Sequence, residues 1–147
     1  FFAGYVVYSL GEMKFLALYL TSLYVGNYLS FRYHNNQDSY TAVGASGAVS
    51  GVVFSSVLLY PEMKMMLLFL PIPLPGYVMA TLYLVYTIYG MRKQRDNIGH
   101  TAHFGGAIAG LLTTIAFVPS VLIDSGFTLV ILTATLIIAA ILFKKYS

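Results

Sequence analysis

A small hydroxyl residue set among glycines and alanines opens one informative stretch, Gly44-Ala45-Ser46-Gly47-Ala48-Val49-Ser50-Gly51. A pair of histidines, His100 and His103, opens another. A serine hydroxyl is a weak nucleophile until a neighbouring base takes its proton, and neutral imidazole is the usual base near pH 7. Ser46 as nucleophile and His103 as base are therefore the candidate catalytic residues. For hydrolysis within a bilayer the alternatives are a metal or paired carboxylates, and both lack residues. Glu12, Asp38, Glu62, Asp96 and Asp124 all fall in predicted loops or at predicted helix ends, so no carboxylate dyad forms between helices. No His-Glu-x-x-His spacing occurs, and His100 and His103 have no glutamate nearby. The chain has no cysteine, which removes a thiolate nucleophile, cysteine-ligated zinc and a disulfide framework. No metal site and no cofactor is expected. Asp96 would sit ~10 Å from His103 along a continuous helix, which favours a serine–histidine dyad over a triad.

The elements around these two residues must present and join them. A serine in the first turn of a helix lies where backbone N–H groups have no intrahelical partner and can receive a developing oxyanion. Gly44, Ala45 and Gly47 form that backbone, and the glycines are expected to clear bulk so that an extended substrate can approach. Gly47 and Gly51 give the helix a smooth face, and Gly106 and Gly110 repeat the same four-residue spacing one turn after His103. Packing of the two faces would carry His103 toward Ser46. His100 lies nearer the aqueous end and is expected to shape solvent or substrate access.

Of the 147 residues 59% are hydrophobic and 9% charged, whereas a soluble domain is about a quarter charged. That composition, with the charges lying between apolar runs, predicts an all-α, multi-pass transmembrane bundle in a single domain, 1–147, in contact with lipid. The expected spans are 15–31, 45–60, 76–91, 99–118 and 127–143, about five in all, preceded by the end of another helix near Leu10. The last span is plain aliphatic and carries no chemistry. Tyr33 to Ser39 is expected to be a polar loop in water, and Met65 to Pro75 an interfacial or re-entrant piece broken by proline. The eight basic residues form no stripe on one face, which excludes a nucleic-acid partner. Phe1 begins in mid-run without a methionine, so the expectation is a chain lacking its first helix and the start of its second.

Gly44-Ala45-Ser46-Gly47, followed after one further span by Ala102-His103-Phe104-Gly105-Gly106-Ala107-Ile108-Ala109-Gly110, resembles the rhomboid family of intramembrane serine proteases. The resemblance runs from about Phe1 to Pro119 and implies an endopeptidase that cuts transmembrane or juxtamembrane segments of other membrane proteins with Ser46 and His103. It also implies a histidine and an asparagine early in the family's second helix, a part that would precede Phe1 here. In many members an aromatic residue four after the serine stacks beneath the histidine. Here that position is Ser50, so another group must support the ring.

The resemblance places Ser46 toward the extracytoplasmic side, whereas the excess of Lys and Arg at that end predicts the reverse orientation. A bacterial cytoplasmic membrane is the expected location. Taken singly, a serine among glycines or a pair of small residues is ordinary helix packing, and it is their order and spacing together that carry weight. The rival functions are a rhomboid-like pseudoprotease that binds transmembrane segments without cutting them and a small transporter or channel. Retention of both Ser46 and His103 disfavours the first, and the lack of intramembrane charge disfavours the second.

Overall fold

The computed structural model describes residues 1–36, 44–67, 70–93 and 98–146. Among them the chain forms seven helices and one β-hairpin: α1 Phe2–Leu10, α2 Glu12–His34, α3 Ser46–Leu59, β1 Lys64–Leu67, β2 Leu70–Pro75, α4 Gly76–Lys93, α5 His100–Phe117, α6 Val121–Asp124 and α7 Gly126–Tyr146. Gly11 alone separates α1 from α2. Its φ of 77° and ψ of 165° lie in a region open essentially to glycine, which lets one helix end and the next begin within a single residue.

The fold is mainly helical, consistent with the expected all-α class, with one hairpin added. The proline-broken stretch after α3 is an antiparallel hairpin, with Lys64 opposite Pro75 and Met65 opposite Leu74. Prolines at 71, 73 and 75 alternate, so their missing N–H groups all fall on one edge of β2 and the other edge keeps its donors for β1. The Gly76 N–H extends the same register to the Met63 carbonyl at 2.7 Å. The expected wet loop from Tyr33 to Ser39 is corrected at its start, and its part from Gln37 onward lies outside the described residues. No glycine or proline stands between Gly26 and Asn35, so α2 runs on through His34, which is buried with its Nε2 3.3 Å from Thr101 Oγ1.

Polarity is distributed inside out. Leu16, Leu20, Tyr24, Tyr28 and Phe31 make an exposed apolar stripe down α2, while Ser22, Gly26 and Ser30 on the opposite side are buried. A helix buried through small polar residues and covered outside by large apolar ones fits a bundle surrounded by lipid. Five long helices stand near the five expected spans, yet among the described residues none is by itself long and apolar enough to cross a membrane. For α3 the cause is length, since fourteen residues reach about 21 Å against a hydrocarbon core of about 30 Å. In α2 and α5 the inward-facing serines, threonines, histidines and glycines dilute the apolar average.

The centre is a three-helix seam of α2, α3 and α5. A Cβ on Gly26 would come within 2.6 Å of the Ala102 carbonyl oxygen, and one on Gly47 within 2.9 Å of the same atom. Gly106 lies directly against the Gly47 backbone and Gly110 against that of Gly51. At the far end Thr114 Oγ1 donates to Ser55 Oγ at 2.7 Å, a buried hydrogen bond across the seam. A larger apolar cluster around Phe54, Leu84, Leu111 and Leu132 joins α4 and α7 to this centre.

The lower end of α3 leaves carbonyls without helical partners, and one of them is met from outside: Ser125 Oγ donates to the Leu58 carbonyl at 2.6 Å. Both residues are buried. Ser125→Ala is expected to cost about 1 to 2 kcal/mol, read as a lower thermal unfolding midpoint with no change in oligomeric state.

Candidate active site

Ser46 is the first residue of α3 and is exposed. The first backbone bond at this end runs from the Val49 N–H to the Ala45 carbonyl at 3.0 Å, and Ala45 supplies no side-chain cap. The N–H groups of the opening turn, from Ser46 to Ala48, are therefore the ones an α-helix leaves without helical partners. Gly44 precedes them with φ 141°, a backbone conformation that favours glycine.

The two glycines flanking Ser46 differ in their surroundings. A Cβ on Gly44 would meet nothing within 4 Å, so what that position requires is its backbone angle. Gly47 is buried against α5 and α2, so its missing side chain serves helix packing and does not open a path for substrate.

His103 stands in the first turn of α5, half-buried, with its backbone N–H on the Gly99 carbonyl. Because Gly47 abuts Ala102 and Gly106, the starts of α3 and α5 lie side by side, and Ser46 and His103 line one cavity of about 720 Å³. Among the described residues no hydrogen bond joins the two side chains, and His103 Nδ1 is buried without a hydrogen-bond partner. Asp96 lies outside the described residues. Glu12, Glu62 and Asp124 stand at element ends or in turns, and no group of three metal-ligating side chains occurs among the described residues.

The ring of His103 is supported from α4. Tyr83 stacks on it with centroids 5.8 Å apart and planes 27° apart. The Tyr83 hydroxyl lies 2.8 Å from Ser50 Oγ, and Ser50 in turn donates to the Ser46 carbonyl at 3.0 Å. Ser50 thus ties Tyr83 to the residue that carries the candidate nucleophile, and Tyr83 ties both to the candidate base. Tyr83 is invisible as a site residue in the sequence, where it is one of thirteen tyrosines. His100 is buried behind His103, with its ring set directly on Gly90 of α4 and edge-on to Tyr86. It is therefore a wedge between helices rather than a residue at an aqueous entrance.

The rest of the cavity is apolar, with Val49, Val53, Met65, Met79 and Leu82 among its walls. Met65 lies on β1, so the hairpin borders the site through that strand.

Residues 1–120 match the family model described as Rhomboid domain. The chain is 28% identical over 106 residues to Rhomboid protein 1, mitochondrial, of Saccharomyces cerevisiae, covering 70% of this chain and 31% of that protein. It is 29% identical over 113 residues to Presenilin-associated rhomboid-like protein, mitochondrial, of Mus musculus and of Homo sapiens, covering 75% of this chain and 30% of each. The chain spans about a third of the length of the curated relatives it matches. No solved structure matches it significantly. These relatives are named as mitochondrial proteins of yeast and mammals, so they give no support to a bacterial cytoplasmic membrane.

Proposed function

Because this chain belongs to the rhomboid family, we propose that the intact protein is an intramembrane serine endopeptidase that cleaves transmembrane or juxtamembrane segments of other membrane proteins. The observation that carries this is the single cavity lined by both Ser46 and His103, at the joined starts of α3 and α5. Ser46 Oγ attacks the scissile carbonyl carbon while His103 takes the hydroxyl proton. With Nδ1 buried, Nε2 is the nitrogen left for that transfer. Negative charge gathering on the carbonyl oxygen is met by backbone N–H groups around Ala45 and Ser46, at the positive end of the α3 dipole. His103 passes its proton to the leaving amine as the C–N bond breaks, and water then hydrolyses the acyl-serine with His103 again as base. No step calls for a metal or cofactor.

The apolar walls suit a substrate segment taken from the bilayer, and that segment must be locally unwound, since a hydrogen-bonded helix does not offer its carbonyls to a nucleophile. Reconstitution of the full-length protein with a single-span substrate containing helix-breaking residues tests this reading. Site-specific cleavage that disappears in Ser46→Ala supports it, and cleavage that survives that substitution overturns it.

Tyr83 acts as a positioning residue in this scheme. Tyr83→Ala is expected to lower kcat about tenfold with KM little changed, because the imidazole loses the surface that sets its plane. Tyr83→Phe keeps the ring and drops the hydroxyl's contact with Ser50, and should retain most of the activity. Equal losses in the two variants would show that the hydroxyl and not the stack holds His103.

A further inference from the structure

A second groove of about 720 Å³ lies on the outside of the bundle between α4 and α7, and it shares no lining residue with the Ser46 cavity. Its walls are mainly apolar, with Val85 and Ile88 on one side and Ile138 and Leu142 on the other, interrupted by the hydroxyls of Thr81, Tyr89 and Thr135, and it ends at Arg92 and at Lys93, whose ammonium lies 5.8 Å from the centre of the Tyr89 ring. Along α4 it runs from Thr81 to Lys93, about 18 Å at helical rise, which is close to the half-thickness of a bilayer's hydrocarbon core, about 15 Å. Val85 and Ile138 are more than half exposed, so the apolar walls face the surroundings of the bundle.

The two cations sit at the last turn of α4, where the helix dipole favours positive charge and where α4 meets the start of α5 through Gly90 and His100. The basic end of the groove is therefore at the same end of the bundle as Ser46 and His103. An apolar slot of one leaflet's depth capped by two cations at the interface matches an amphiphile with a long chain and an anionic head.

We propose that this groove is a selective site for an anionic glycerophospholipid, with one acyl chain between α4 and α7 and the phosphate at Arg92 and Lys93. The site stands apart from the serine chemistry and does not depend on it. An arginine and a lysine at the interface distinguish a net-negative head from a zwitterionic one through charge, while the groove itself holds either lipid's chain.

The test is native mass spectrometry of the full-length protein in neutral detergent, titrated with phosphatidylglycerol or with phosphatidylcholine of the same chains. The wild-type protein is expected to retain phosphatidylglycerol about tenfold more tightly. Arg92→Gln with Lys93→Gln should abolish that preference, and Ile138→Trp, at an exposed wall position, should weaken retention of both lipids. Ser46→Ala should leave all of these results unchanged, so failure of the protease reading and failure of this one are separable. Equal retention of the two lipids by the wild type, a preference that survives the double glutamine variant, or indifference to Ile138→Trp would overturn the site. Displacement of the lipid by millimolar inorganic phosphate would likewise overturn it, by showing a free-anion site in place of a lipid one.

Discussion

Gly106→Leu is expected to leave little folded protein. A Cβ at this position falls onto the Gly47 carbonyl and lies 2.9 Å from the Gly47 Cα, and these are backbone atoms of a buried helix. A flexible side chain could rotate away, but α3 could yield only by separating from α5, and that separation would expose the seam that also holds Gly51, Gly110 and the Thr114–Ser55 hydrogen bond. Overpacking against side chains costs about 1 to 3 kcal/mol, and against backbone at a three-helix junction the expectation is at least about 4 kcal/mol. Gly4→Ala is the control. A Cβ there meets nothing within 4 Å, and alanine is the better helix former, so its stability should match or slightly exceed wild type. The measurement is the thermal unfolding midpoint with the monodisperse fraction after detergent extraction. Near-normal folding of Gly106→Leu would contradict the packed seam.

That seam was legible in part from spacing alone. Gly47 with Gly51 and Gly106 with Gly110 stand out because small residues recur at the helical period in otherwise bulky runs. The third face, Ser22-x-x-x-Gly26-x-x-x-Ser30, has the same period but is hidden by the leucines and tyrosines that face outward on the same helix. The boundaries of α3, α4 and α5 lie within two residues of those expected, since each is framed by glycine, proline or a charged run. The hairpin is hidden in the sequence because prolines read first as helix breakers, and only the strand register shows that their alternation leaves one edge of β2 free to pair. Tyr83 could not be found from its own neighbourhood. Its link to Ser50 and its stack on His103 join three helices, and only the tertiary arrangement creates them.

Ser46→Ala and His103→Ala are each expected to reduce cleavage at least about a thousandfold while leaving the fold intact. Ser46 is exposed at a helix start, and among the described residues no hydrogen bond depends on its hydroxyl, so its removal costs no packing. The double variant should be no worse than the more damaged single one, because a nucleophile and its base act as one unit and losing either removes the step. Additive losses would mean that the two residues serve separate functions. An unchanged unfolding midpoint in Ser46→Ala, set beside the collapse of Gly106→Leu, separates chemistry from scaffold.

The proposed mechanism makes Ser46 a histidine-activated nucleophile, and covalent capture tests that role directly. The full-length protein in detergent is treated with a fluorophosphonate, and the adduct is located by peptide mass spectrometry. A single adduct on Ser46 is the expected result, lost in Ser46→Ala and slowed at least about a hundredfold in His103→Ala. An adduct on another residue, undiminished labelling in His103→Ala, or no labelling of a folded full-length protein would contradict it.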